Sequence, residues 1–306
     1  MSAKLKMVRN FRRSLSFPNQ PSAKPPQRKK TFHVRSTSLP CSTHPLVSQL
    51  KDSISHLKTS VSKPDNRTSA WICDALSQLK SVHESLDDLL QLPQTREALR
   101  ERSEWVEKVL EGFLRFVDVY GIFQTLVLTL KQEHMAAQMA IRRKDDSKTA
   151  LYVKALKKMS KEMISLMSTL QTMGKSWDLE QNSLSMFDNG DAEIEQIIMD
   201  VNEVTIMVSS SLFGGISASF SMQKSTWKGL RLPKKQVKME ENIQELEQVG
   251  VENLWGLTKK GDEKVKTLVK KMHEMEDCLC GIECGAEKLF RSLISSRVSM
   301  LNVLTQ

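Results

Sequence analysis

Apolar residues recur every three or four positions over most of the chain, a spacing typical of amphipathic helices. The first such run follows His44-Pro45 and consists of Leu46, Leu50, Ile54, Leu57 and Val61. Pro64-Asp65-Asn66 ends this run, and Thr68 or Ser69 can cap a second helix that extends to about Leu90. The pattern therefore predicts two successive helices at the start of a helical region.

A third predicted helix is apolar on every side, which is typical of a buried helix. Thr95, which follows Leu92-Pro93, is its candidate N-cap, and its most hydrophobic part is 113–130. Arg115 and Asp118 are three residues apart on this helix and are expected to form an ion pair across one turn.

Further helices are predicted over 147–174, 192–211, 235–260 and 262–303. In the last of these, apolar residues alternate at spacings of three and four from Val265 to Leu293. This seam is broken at Ser296 and resumes at Met300 and Val303. The 113–130 helix could cover the seam in an antiparallel arrangement, and a partner chain is the alternative. We predict an all-α fold, a bundle of long antiparallel helices over residues 44–306.

The composition fits this interpretation, because the 306 residues include only 12 Gly and 9 Pro. A sandwich or barrel of many strands would need more turn-forming residues. The uncharged run 204–223 is about half apolar. A buried helix broken near Gly214 and Gly215 explains this run better than a transmembrane segment, and no other long apolar span is expected.

The net charge of +9 belongs to the first part of the chain. Residues 1–51 contain eleven Lys and Arg and no carboxylate, so the remaining residues hold 34 bases and 36 acids. Residues 1–43 are also rich in Ser and Pro, which predicts a disordered basic tail. Five Cys and the lack of an apolar leader favour a reducing, cytoplasmic location.

Several functions are open to this tail. It could attract the protein to the anionic inner surface of the plasma membrane, or it could serve only for solubility. Plastid targeting is less favoured. Nucleic-acid binding is not favoured either, because the tail offers only Phe11, Phe17 and Phe32 for base stacking.

The tail also contains a repeated pattern, R-S-x-S-x-P. The first copy places Arg13 before Ser16 and Pro18, and the second places Arg35 before Ser38 and Pro40. The pattern resembles the phosphoserine ligand of 14-3-3 proteins, in which a phosphate meets an Arg cluster of the reader. We therefore predict Ser16 and Ser38 as phosphorylation sites for a protein partner, although such matches also arise by chance in tails of this composition.

No motif of a known enzyme class is present: GxGxxG, GxxxxGK[ST], HExxH and GxSxG are all absent from the sequence. Cys278, Cys280 and Cys284 lie close together, downstream of His273. His273, Cys280 and Cys284 share one helical stripe that could contribute Zn²⁺ ligands, but the CxxC spacing of structural zinc sites is missing. Small thiols at a helix contact explain the cluster as well, so we predict no metal, no cofactor and no catalytic residue.

Four blocks in order resemble the plant-specific Bypass-type family. They are residues 32–40 followed by His44-Pro45-Leu46, then Leu92-Pro93-Gln94-Thr95, then 113–121, and finally 289–302. Tyr120 stands where the family pattern leads us to expect Cys. The resemblance implies a helical protein associated with root and shoot development, and it supplies no catalytic residue. We therefore expect a non-catalytic intracellular adaptor or regulator. A peripheral membrane protein docked by its tail is the alternative, and an unrecognised enzyme is the third possibility.

Overall fold

The computed structural model describes residues 44–62, 67–184, 192–221, 242–249, 254 and 261–305. Within these residues the fold is all-α, as predicted, with eight α-helices and no strand. The helices are α1 (Pro45–Ser62), α2 (Ser69–Leu90), α3 (Pro93–Arg100), α4 (Ser103–Arg142), α5 (Asp146–Leu184), α6 (Ala192–Phe220), α7 (Gln244–Val249) and α8 (Asp262–Thr305).

The long helices form one bundle around a shared apolar core. Helix α8 packs on α4 and α2, α5 packs on α4 and α6, and α1 lies against α2 and α6. Helices α4 and α8 are antiparallel, since Lys131 pairs with Glu283 and Gln138 donates to Glu276. Helix α2 runs parallel to α8, since Ser292 of α8 lies against Lys80 of α2 and Ser296 lies against His83. The start of α1 and the end of α8 consequently lie at the same end of the bundle.

The first two helices confirm their predictions closely. Helix α1 begins at Pro45, and α2 has Thr68 as its N-cap, with the hydroxyl oxygen accepting from the Trp71 amide at 3.2 Å. Glu245 of the short helix α7 also accepts hydrogen bonds from the Ser69 amide and hydroxyl, both at 2.8 Å. A carboxylate at a helix N-terminus is favourable because it faces the unpaired amides there. The rest of the predicted 235–260 helix lies outside the described residues, apart from a few isolated positions.

The predicted third helix is in fact two helices. Helix α3 begins with Pro93 as its first residue, so Thr95 is a buried position inside it and the predicted N-cap role is wrong. The break falls at Arg102, which ion-pairs with Glu195 at 3.1 Å, while Arg100 donates to the Val303 carbonyl at 3.2 Å. These contacts with α6 and α8 involve residues distant in sequence, so a local pattern could not reveal the break.

Two helices are longer than predicted because glycine does not end them. Helix α5 continues past Gly174, where a Cβ would lie 3.7 Å from Ile206 of α6. Helix α6 continues past Gly214 and Gly215, so the predicted break there is wrong. Both of these glycines are buried, so the packing of α6 in the core outweighs their poor helix propensity.

The seam on α8 is covered within the chain, mainly by α4 and α2. Its apolar members are all buried, from Val265 to Val303. Ser296, where the apolar pattern breaks, is also fully buried and continues the same spacing. The seam is therefore continuous in space, with one polar position.

The ion pair predicted on α4 forms with a different partner. Arg115 pairs with Glu111, at 3.2 Å, rather than with Asp118. An acid four residues before a base is the favoured order on a helix, because it agrees with the helix dipole.

Helices α4 and α6 are long and apolar enough to cross a membrane by length and composition. A membrane span in α4 was not predicted from the sequence. The most apolar 18-residue window is 67% buried in α6 and 39% buried in α4. Core helices of a bundle meet the same criteria, so this finding alone is weak evidence for a membrane span.

Candidate functional site

The phosphorylation sites predicted from the sequence lie outside the described residues. They comprise Arg13, Ser16 and Pro18 in the first copy of the motif, and Arg35, Ser38 and Pro40 in the second. The candidate sites within the bundle must therefore be judged from its buried polar groups, its cysteines and its surface.

His83 forms the centre of a buried polar network that joins three helices. Its Nε2 lies 3.0 Å from the Thr205 hydroxyl on α6, and its Nδ1 lies 3.3 Å from the Ser296 hydroxyl on α8. Thr205 donates its own proton to the Val201 carbonyl at 2.6 Å. Nε2 must therefore donate to Thr205, which leaves Nδ1 as an acceptor facing the Ser296 hydroxyl.

Burial keeps the imidazole at the centre of this network neutral. His83 is fully buried, and this burial lowers its pKa to about 3. One turn later, burial raises the pKa of Asp87, although hydrogen bonds from Ser295 and Ser296 oppose the shift. Ser296, His83 and Asp87 thus have the residue types of a hydrolytic triad.

This Ser-His-Asp set is nevertheless structural. Ser296 and His83 have no exposed surface, and neither lines any of the clefts described for the bundle. A substrate could not reach the hydroxyl, so the network serves to align α2, α6 and α8. This network was not predicted, although His83 lies among the regularly spaced apolar residues Leu79, Val82 and Leu86.

A second buried histidine joins α4, α5 and α8 in the same way. His134 Nε2 lies 2.7 Å from the Met272 carbonyl and therefore donates to it. Its Nδ1 then accepts from the Tyr152 hydroxyl at 2.6 Å. Burial lowers the pKa of His134 and raises that of Tyr152, so both groups stay neutral at physiological pH.

The cysteine cluster does not form a metal site. Cys278 is buried, which raises its pKa to about 12, whereas Cys280 and Cys284 are exposed. Cys73 on α2 lies at the same interface, and its Sγ would be 3.1 Å from a Cβ at Gly281. His273 is exposed beside Glu276. Among the described residues, no three His, Cys, Asp or Glu side chains are arranged to hold a metal ion.

A cleft of about 580 Å³ lies between the start of α4 and the end of α5. Trp177 forms one wall and approaches Gly112 so closely that a Cβ there would lie 2.4 Å from its ring. Glu104, Glu107 and Glu111 line the opening, but Arg115 neutralises Glu111. The lining contains no nucleophile paired with a base, so this cleft has no evident catalytic chemistry.

Two of the blocks that carry the family resemblance come together in the fold. Block 113–121 lies on α4 and block 289–302 lies on α8, and a Cβ at Gly121 would be 3.9 Å from the Phe290 ring. Tyr120 is fully buried, and its hydroxyl lies 2.8 Å from that of Ser209 on α6. These blocks are therefore mainly packing positions at the α4–α8 interface.

Comparison with known proteins agrees with this placement. A family model described as Protein BPS1 matches residues 75–303, which include the blocks on α3, α4 and α8. The block at 32–40 lies outside the matched region. No curated protein and no solved structure matches the chain. The family model covers well over half of the sequence, and the chain therefore belongs to the plant Bypass family.

Proposed function

We propose that this protein is a non-catalytic helical adaptor in plant development, recruited to partners through its phosphorylated N-terminal tail. Family membership supports the broader part of this proposal, since the Bypass family is a non-enzymatic regulatory family of plants. Action in roots and shoots, and a location in the cytoplasm or at the plasma membrane, belong to the same proposal.

The bundle supports a scaffold rather than an enzyme. Its best-formed Ser-His-Asp set is buried, its cysteines are spread over different surfaces, and its cleft beside Trp177 lacks a reactive group. The polar groups that are buried mostly connect helices to each other. Such a body can present binding segments without performing chemistry of its own.

The repeated R-S-x-S-x-P pattern is the observation on which the proposal rests. Both copies precede α1 in the sequence, since α1 begins at Pro45. Phosphorylation would add a charge of about −1.5 to −2 at each serine and supply strong acceptors for an Arg cluster. Ser16 and Ser38 are 22 residues apart. A flexible linker of that length would have a root-mean-square end-to-end distance of roughly 25 Å and could extend much further. Both sites could therefore engage a dimeric reader at once, which raises the affinity.

A peptide titration tests the proposal. Peptides covering residues 10–44 would be prepared unmodified, phosphorylated at Ser16, phosphorylated at Ser38, and phosphorylated at both, and titrated with a 14-3-3 dimer. We expect the doubly phosphorylated peptide to bind at least about a hundredfold more tightly than either single form, owing to bivalency. Equal binding by the doubly phosphorylated and unmodified peptides would refute the proposal.

Neighbouring serines provide a matched control. Ser14 and Ser36 lie in the same two motifs but directly follow Arg13 and Arg35, so they lack the spacing that the reader requires. In the full-length protein treated with a basophilic kinase, Ser16→Ala with Ser38→Ala should abolish capture by the reader. Ser14→Ala with Ser36→Ala should leave it intact.

A further inference from the structure

Helix α5 presents an outward face on which lysines lie between exposed aliphatic side chains. Lys154, Lys158 and Lys161 point to solvent, with Leu151 and Ile164 at the two edges of the face. At about 100° per residue, these five positions share an arc of roughly 140°. Leu151 is 58% exposed and Ile164 is 54% exposed, so neither belongs to the core.

The charge of this face is not neutralised by the bundle. Residues 147–177 contain six Lys and one acid, Glu162, although the chain after residue 51 has a slight excess of acid. The exposed Arg142 ends α4, and the exposed Arg143 lies in the turn that precedes α5. No ion pair among the described residues involves Lys154, Lys158 or Lys161. The lysines therefore remain available to an external anionic surface.

Helix α4, which packs beside α5, contributes further exposed apolar side chains. Ile122, Leu128, Met135 and Met139 are each more than half exposed. This outward apolar surface helps to explain why α4 has high hydropathy although only 39% of its most apolar window is buried.

From this combination we propose that the outward face of α5, from Leu151 to Ile164, docks on an anionic phospholipid bilayer. The headgroups would pair with the lysine ammonium groups, and the interfacial region would take up the aliphatic side chains. Lysine suits this role because its apolar stem can lie along the interface while its charge stays in water. A nucleic acid would match the lysines but leave Leu151 and Ile164 exposed to water, so it explains only half of the face.

Vesicle binding by the full-length protein tests this proposal. Binding would be measured with vesicles of phosphatidylcholine alone and of phosphatidylcholine mixed with phosphatidylserine. Lys154→Gln, Lys158→Gln and Lys161→Gln together should weaken binding to the anionic vesicles on the order of 100-fold, since each basic residue near the surface contributes about a factor of five. Leu151→Ser with Ile164→Ser should weaken it about tenfold without a change in charge.

Matched variants on α8 distinguish the contribution of the α5 face to vesicle binding from the effect of net charge. All variants retain the basic tail, so its contribution is the same in each. Lys264, Lys266 and Lys270 are exposed, and their replacement by Gln removes the same charge from another helix. Val298→Ser with Leu301→Ser removes exposed apolar side chains elsewhere. We expect both controls to bind vesicles nearly as well as the parent protein. Equal loss in the α5 and α8 lysine variants would overturn the proposal.

A polyanion probe gives the other decisive outcome. Each variant would also be titrated with a double-stranded DNA fragment. One outcome would be unchanged vesicle binding by Leu151→Ser with Ile164→Ser, together with an equal loss of affinity for DNA and for vesicles in the α5 lysine variant. In that case the face is a general polyanion site and the proposal is wrong. Selective loss of vesicle binding in the aliphatic variant would support insertion into a bilayer.

Discussion

Two buried neutral histidines make the stability of the bundle sensitive to acid. The folded pKa of His83 is about 3, against an ordinary value of 6.5, and that of His134 is lowered as well. Between pH 3 and pH 6.5 the unfolded chain binds more protons than the folded chain. The stabilisation that depends on the neutral histidines should therefore be retained above pH 6.5 and lost progressively as the pH falls towards 3. The free energy of unfolding should decrease over the same range.

We expect His83 alone to cost about 2 kcal/mol of stability between pH 6.5 and pH 5. Urea unfolding at several pH values would measure this slope. His83→Gln should make the slope shallower, because the glutamine does not titrate. An identical slope in the parent protein and His83→Gln would contradict the prediction.

Asn202 on α6 is 1% exposed, and neither atom of its side-chain amide has a hydrogen-bond partner among the described residues. An unpaired buried amide is costly, whereas an apolar side chain of similar size has no such cost. Asn202→Leu should therefore raise the free energy of unfolding by about 1 kcal/mol, as measured by urea unfolding. A lower value would show that the amide is satisfied in solution, for instance by a bound water.

These residues also show where sequence analysis reaches its limit. The position of His83 on the apolar face of α2 indicates burial, but its partners Thr205 and Ser296 are more than a hundred residues away. Only the three-dimensional arrangement of α2, α6 and α8 brings them together. The lysines of α5 are visible in the sequence, yet their shared outward face with Leu151 and Ile164 depends on which side of the helix is buried.

At the level of helices, the predictions were accurate where the apolar spacing was regular. Helices α1, α2 and α8 have nearly the predicted bounds, because a periodic apolar face must be buried wherever it occurs. The errors concern helix ends: Gly174, Gly214 and Gly215 were interpreted as terminators. Packing of the surrounding helix against its neighbours keeps each helix continuous through these glycines, and a local pattern cannot distinguish such a glycine from a break.

Two glycines on α4 should respond oppositely to the same substitution. At Gly121 a Cβ would make an ordinary contact, so Gly121→Ala should stabilise the protein by up to about 1 kcal/mol through helix propensity. At Gly112 a Cβ would lie 2.4 Å from the Trp177 ring, so Gly112→Ala should destabilise it by about 1–3 kcal/mol. Urea unfolding of both variants would show whether the shifts differ in sign, and shifts in the same direction would contradict this explanation.

A charged substitution in the seam on α8 should have a larger effect on stability. Leu289 is fully buried, so Leu289→Asp should cost about 4 kcal/mol or more by placing an unpaired charge in the core. Lys288→Asp, at the exposed neighbouring position, should cost far less. Circular dichroism and size-exclusion chromatography would compare them. A Leu289→Asp protein that stays helical and only changes its oligomeric state would instead show that the seam joins separate chains.

At the scale of the whole molecule, the helices should differ in local stability. Helix α8 packs on α2, α4 and α7, whereas the shorter α1 packs on α2 and α6 through one face. Hydrogen exchange measured by mass spectrometry should therefore be slowest in the middle of α8 and clearly faster in α1. Equal protection of the two helices would mean that the bundle opens only as a single unit.

The position of α8 also has a consequence for how the protein is made. Its partners α2 and α4 begin at Ser69 and Ser103, whereas α8 begins at Asp262. At about 5–20 residues per second, a ribosome would take roughly 10 s or more to advance from one region to the other. During that interval the nascent chain would display the apolar faces of α2 and α4 without their cover. Protection by a chaperone during synthesis, and rapid degradation of chains that stop before α8, are the expected results.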